Sequence, residues 1–402
     1  MRRRKFDING LGFTAFLGGL SAIPALAIDM ALPSLGLVQA DFGATQTQAA
    51  AAIAVFLAGF STAPLAIGPL ADRYGRKPVM LAGLGIFAFC ALGCALAPSI
   101  GALLAFRLIQ GGGAGAVGIL PRAIIRDLFE GRDARLQLAA VTIVFSVAPL
   151  VAPTLGAGIL AVGHWRLIYV ALAAVGAALG LMGLALFTES HGVERRRSLM
   201  PASVAASYRR ALTNRMCAGF ALVNGLVFTG LFAYVNTSPL LFIEGYGVSR
   251  TAFGGLFALT ASGVIFGSLI STWLMRRHAP PRAVLDAALA LVSLAALVLL
   301  AVSLAGFRSP LFVVAPVMVY IASFGLVVPN AVYEAVHPLP EIAGVASAVL
   351  LAVQMLFGAL GGATAAALYR DGSPLSIGLV MSAGALGAAA LYTLWLRPGI
   401  EE

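Results

Sequence analysis

Apolar runs of about twenty residues, each followed by a short polar or basic turn, recur along the chain and leave room for few folds. Twelve can be delimited, at approximately 11–35, 47–70, 79–97, 101–124, 136–162, 166–187, 216–240, 250–274, 283–305, 310–333, 343–368 and 375–396. In hydrocarbon a backbone N–H or C=O must be satisfied within its own segment, so each run is expected as a helix. The expected fold class is therefore an all-α membrane protein with twelve transmembrane helices. Of the 402 residues 60% are hydrophobic and only 10% charged, against about 25% charged in a soluble domain. A soluble multidomain protein is excluded.

The net charge of +10 has a topological explanation and needs no nucleic-acid partner. Twenty-one of the 26 basic residues lie in one alternating set of loops, among them Arg2–Lys5, Arg73, Arg76, Lys77, Arg122 and Arg195–Arg197. The other set holds four, Arg166, Arg250, Arg308 and Arg370, and Arg107 falls inside a span. The positive-inside rule then predicts cytoplasmic termini and a multi-pass protein of the inner membrane. Residues Met1–Phe6 with Ala25-Leu26-Ala27 imitate a cleavable leader, but with eleven further spans the first run is expected as a retained helix.

The longest polar stretch, Thr188 to Arg215, follows the sixth span. It predicts a six-helix bundle over 1–188, a cytoplasmic central loop over 189–215 and a second bundle over 216–402. The loop is either a solvated linker or carries a membrane-surface helix over Met200–Leu212. Two six-span halves about a central site are the layout of rocking transporters.

Away from the span ends, the spans hold one carboxylate, Asp29, and one strong base, Arg107. A charge buried in a bilayer costs several kcal/mol, about 2.5–3.5 at the low end, so such groups face a cavity or a partner. Asp29 is 18 residues beyond Leu11, about 27 Å along a helix axis, and Arg107 is 15 residues from Arg122, about 22 Å. Both fall in the outer half of the membrane, at heights that allow pairing. Desolvation favours the neutral acid and a neighbouring guanidinium favours the carboxylate, so Asp29 is the candidate proton carrier.

Asn224, Phe228, Phe232 and Asn236 recur every four residues on span seven and form an amide and aromatic stripe. The stripe suits an amphipathic ligand and equally an ordinary helix contact. Tyr234, Asn330 and Gln354 are further candidates. Cys90 and Cys94 are expected as packing thiols, and the four histidines form no metal spacing, so no metal is expected. No Gly-Lys-Ser/Thr phosphate loop occurs, which argues against direct ATP use, and no enzyme signature is present. No cofactor is expected; a proton gradient would supply the energy.

Gly68-Pro69-Leu70-Ala71-Asp72-Arg73-Tyr74-Gly75-Arg76-Lys77-Pro78, between spans two and three, resembles the signature loop of the major facilitator superfamily. Arg107-Leu108-Ile109-Gln110-Gly111 resembles its second motif, and Ala152-Pro153-Thr154-Leu155-Gly156 a loose antiporter motif with Ala152 in place of Gly. Asp29-Met30-Ala31-Leu32-Pro33 and Ser238–Gly247 are similar to the Bcr/CflA branch of twelve-span drug:proton antiporters. The resemblance implies two pseudo-symmetric bundles and proton-coupled efflux of small amphipathic drugs, such as amphenicol-like or bicyclomycin-like compounds, by a monomer. It also implies that Gly68, Asp72, Arg73, Gly75, Arg76 and Asp127 form a gating loop whose charge cluster latches the outward-open state. Proton-coupled uptake of a metabolite such as a nucleoside is the alternative on the same scaffold. A membrane enzyme or receptor would need a polar catalytic cluster or an added soluble domain, and neither is visible. The second-half counterpart of the loop motif, Gly267–Arg277, keeps its bases but has no acid, so the internal repeat is faint.

Overall fold

The computed structural model describes residues 7–8, 10–191, 201–370 and 372–399. The expected basic segments Arg2–Lys5 and Arg195–Arg197 lie outside these residues, as do Met1–Phe6 of the leader-like stretch and Met200. The described chain contains twelve helical segments long and apolar enough to cross a membrane. The first combines α1 (Leu11–Asp29), a 3-10 turn (Leu32–Ser34) and α2 (Leu35–Phe42). The next five are α3 (Gln46–Tyr74), α4 (Arg76–Ala95), α5 (Ile100–Leu128), α6 (Gly131–Val162) and α7 (Arg166–Leu186). A short helix, α8 (Pro201–Thr213), precedes the second six. These are α9 (Arg215–Pro239) with a π-helical turn (Leu240–Gly245), α10 (Arg250–Arg276), α11 (Pro281–Leu304), α12 (Pro310–Val336), α13 (Ala343–Leu368) and α14 (Leu375–Leu391).

Large apolar side chains such as Phe89, Leu181, Phe266, Leu294 and Leu311 are exposed. On a soluble protein they would be a liability, whereas in acyl chains they are solvated.

The repeat that is faint in the sequence is plain in the packing. In the first half α1 packs on α6, α3 and α4 on α5, and α4 on α7. The second half reproduces each pairing: α9 on α13, α10 and α11 on α12, and α11 on α14. Glycines make two of these crossings close. A Cβ on Gly59 would strike the Leu108 carbonyl and one on Gly111 the Phe56 carbonyl, across α3 and α5. At the equivalent crossing of α10 and α12, Gly267 lies on the Ala322 carbonyl and Gly325 on that of Val264. Lipid offers no hydrophobic drive between helices, so such close backbone contact is what joins them.

The bundles meet through α3 with α13 and α6 with α10. Side-chain contacts that can be placed between the spans of the two bundles lie on the face away from the signature loop. Gln46 Nε2 donates to Glu244 Oε2 at 3.4 Å, the Glu244 carboxylate rests on Gly36, and Gly254 abuts Thr154. Toward the signature loop, α3 loses its cover. It is mostly buried from Ala49 to Pro64, but Leu65, Ala66, Arg73 and Tyr74 are exposed. A Cβ on Gly68 would meet nothing within 4 Å. The molecule is closed on one face and open on the basic one.

Candidate functional site

Regular helix stops at Asp29. Pro33, one turn on, cannot continue the ladder, and the backbone tightens: Ala31 N–H donates to Ile28 rather than to Ala27. The Ala27 carbonyl is thereby released, and Arg107 Nη1 takes it at 3.1 Å. Arg107 Nε donates to the Ala52 carbonyl at 3.1 Å, and Nη1 also to Gln110 Oε1 at 2.9 Å. The guanidinium carbon lies 4.3 Å from the Phe56 ring centroid and 5.8 Å from that of Tyr169. Arg107 is fully buried, and its Nη2 has no hydrogen-bond partner. Carbonyl oxygens and ring faces, with no carboxylate, hold this cation.

The expected Asp29–Arg107 ion pair is therefore absent. Asp29 is 6% exposed, and no hydrogen bond or ion pair joins its carboxyl to another described residue. The two groups do share a level of the bundle, because Arg107 grips the backbone two residues before Asp29. The sequence places them at one height correctly, but the partner that the helix break offers to Arg107 is a carbonyl. No sequence period reports that.

The signature loop builds the expected charge cluster at the open face. Arg76, whose side chain is 4% exposed, reaches Asp72 Oδ1 with Nη1 at 2.7 Å and Asp127 Oδ2 with Nε at 2.9 Å. Gly75 has φ 98°, a turn that only glycine enters freely, and separates α3 from α4. It has no side chain with which to cap α4. Glu189, beyond α7, supplies the cap by accepting from Arg76 N–H at 2.8 Å and Lys77 N–H at 3.1 Å. His191 Nδ1 lies 3.8 Å from Asp127 Oδ2. Glu189 and His191 were not among the expected residues; the signal available was a capless helix start and an acid in the segment after α7, two loops later on the same face. Arg73 stands outside the cluster and lies over the Tyr74 ring at 5.2 Å.

The candidate binding residues divide. Asn224 Nδ2 donates to Gln354 Oε1 at 3.0 Å, linking α9 to α13. One turn further, the Phe228 ring lies 4.8 Å from Phe232 and 5.4 Å from Phe324. These residues form one amide and aromatic group, with Phe324 as an unforeseen member. Asn236 is fully buried and neither amide atom is partnered. Tyr234 and Asn330 serve helix packing instead. The Tyr234 hydroxyl pairs with Thr260 Oγ1 at 2.9 Å and its ring stacks on Phe257. Asn330 Nδ2 donates to Ser271 Oγ at 3.2 Å and to the Leu326 carbonyl at 2.8 Å.

Two matching six-helix bundles, closed on one face and open on the other around a buried acid and guanidinium, define a multi-pass membrane transporter. The chain belongs to the Major Facilitator Superfamily, whose family model matches residues 14–362. It is 31% identical over 357 residues to an uncharacterized MFS-type transporter, YdgK, of Bacillus subtilis, covering 87% of each chain. It is 29% identical over 365 residues to a bicyclomycin resistance protein homolog of Haemophilus influenzae, covering 89% of this chain and 90% of the relative. The multidrug resistance protein MdtL of Escherichia coli is 34% identical over 239 residues, 58% of this chain and 59% of that protein. Among solved structures, a D-xylose–proton symporter superposes with a TM-score of 0.74 at 14% identity, over 95% of this chain and 98% of that one. A POT family transporter in complex with 5-aminolevulinic acid gives a TM-score of 0.75 at 13% identity, over 99% of both chains. At such identities the likeness concerns the fold.

Proposed function

We propose that this transporter exports small amphipathic, drug-like molecules across the bacterial inner membrane in exchange for protons, as a monomer with both termini cytoplasmic. The observation that carries the proposal is Asp29, a carboxyl buried where α1 breaks and free of any partner cation among the described residues. A lone carboxyl at that depth is stable when neutral and must lose its proton to be charged, so its protonation follows water access as the bundles tilt. Arg107, two residues away through the Ala27 carbonyl, ties that access to the position of α5. The relatives named for bicyclomycin and multidrug resistance support the substrate class. Asn224, Gln354, Phe228, Phe232 and Phe324 supply a matching wall of amides and rings.

On this scheme the open face is cytoplasmic. The Asp72–Arg76–Asp127 cluster keeps the basic end of the first bundle rigid, and it latches the outward-open state once α3 closes on α13. The segment 189–215 joins the units 1–188 and 216–402. Reconstituted in proteoliposomes with an imposed pH gradient, the protein should move an amphenicol or bicyclomycin-type compound uphill with counterflow of protons. Asp29→Asn should abolish uphill movement while leaving downhill exchange; uphill export by that variant at the wild-type rate would refute the scheme.

A further inference from the structure

Pro69 lies on α3 four residues after Leu65, and a proline has no N–H to give. The Leu65 carbonyl is left without its helical donor in a stretch where α3 is exposed. The Tyr208 hydroxyl, on α8, donates to that carbonyl at 2.7 Å. The helix that carries Tyr208 belongs to the other bundle by its contacts. It packs on α13 and α9, it buries Ala211 completely, and its Arg210 pairs with Glu341 at 2.6 Å in the turn that leads into α13. A single side chain thus reaches from the second bundle to a vacant acceptor on the first, on the open face.

We infer that Tyr208 is a positioning residue of the transport cycle: by filling the acceptor that Pro69 vacates on Leu65, it holds α3 in the arrangement open to the basic face. The inference rests on the two-bundle alternation proposed above. Closing that face brings the inner part of α3 toward α13, the helix on which α8 already packs, so the Tyr208–Leu65 distance has to change. The Arg210–Glu341 pair stays within one rigid unit and is indifferent to the tilt. Burial around the phenol raises its pKa, so it remains a protonated donor through the neutral range. The free carbonyl also explains why a helix in the central loop is docked here: an orphan acceptor near the membrane face is costly unless a donor comes to it.

The test is a double-mutant cycle read by distance measurement. Leu136→Cys on α6 and Met275→Cys on α10 give exposed spin-label positions near the basic face, one on each bundle. Pulsed electron resonance on the full chain in lipid nanodiscs then reports the ratio of long to short distances. One hydrogen bond is worth about a 2- to 12-fold change in such a ratio. Tyr208→Phe should shift the ratio toward the short distance by that factor. In a Pro69→Ala background Leu65 regains its helical donor, and Tyr208→Phe should then shift nothing. An unchanged ratio for Tyr208→Phe overturns the inference, and so does an equal shift in the Pro69→Ala background. If the labels respond to substrate and pH while Tyr208→Phe has no effect, alternation stands and the Tyr208 role falls. If the labels show one distance under every condition, both fall together.

Discussion

Arg107 donates to the carbonyl of Ala27, and the helix break that frees this carbonyl is the one that ends α1 at Asp29. The cation and the acid are therefore linked through two residues of backbone. Anything that straightens or tightens the break moves both the carboxyl and the acceptor that Arg107 holds.

Arg107→Lys tests this linkage while keeping the charge. An ammonium on a flexible stem cannot reproduce the fork that joins Ala27, Ala52 and Gln110, nor lie flat on the Phe56 ring. At about 1.5–3 kcal/mol for each hydrogen bond to a charged group, losing one or two should lower proton-coupled transport at least tenfold. Initial rates in proteoliposomes, set against folded yield from size-exclusion chromatography, measure this. Wild-type rates for Arg107→Lys would mean that the positive charge suffices and its placement does not matter.

Glu189→Gln tests the cap on α4. The amide can still accept one hydrogen bond, but the negative charge at the start of the helix is gone. The expected loss is about 0.5–2 kcal/mol, seen as a lower melting temperature of the detergent-solubilised protein. Asp127→Asn should cost more, because it removes the charge of the more buried of the two carboxylates that pair with a nearly buried Arg76. If the two variants rank the other way, Arg76 is held chiefly by Asp72.

Much of this was legible in the chain and some was not, for physical reasons. The spans are bulk hydrophobicity, a signal averaged over about twenty residues, and all twelve appear where the apolar runs lie. The Asp72–Arg76–Asp127 cluster was legible through resemblance. The partner of Arg107 was not, and the expected ion pair with Asp29 does not form, because a guanidinium chooses between a carboxylate and a freed carbonyl according to one turn of backbone around Ala31. Tyr234 was a candidate by residue type alone, and residue type cannot tell a cavity from a neighbouring helix. Its hydroxyl finds Thr260 on α10, an intramolecular partner that a period cannot show. Glu189 went unnoticed because its role comes from the missing cap of a helix more than a hundred residues earlier.

The matched crossings predict matched sensitivity. Gly111→Val would drive a side chain into the Phe56 carbonyl, and Gly325→Val into that of Val264. Each should abolish accumulation of folded protein, since two backbones in contact cannot give way as a flexible side chain does. Gly68→Ala meets open space and should accumulate normally, whatever it does to transport. Membrane-fraction yield checks all three, and a well-folded Gly111→Val protein would show that α3 and α5 can separate at small cost.

Phe228 gives the sharpest test of the aromatic wall. Its ring touches Phe232 and Phe324 and packs against Gly358 of α13, so truncation to alanine would confuse binding with folding. Phe228→Leu retains most of the apolar volume and removes only the ring. An aromatic contact is worth about 0.5–1.5 kcal/mol beyond its buried area. The half-saturating concentration for an aromatic drug should rise about 2- to 12-fold, while that for an aliphatic one of similar size stays within twofold. The comparison separates the wall from the packing stripe it equally resembles, because a stripe that only joins α9 to α13 would weaken both drugs together through the shape of the bundle, or neither.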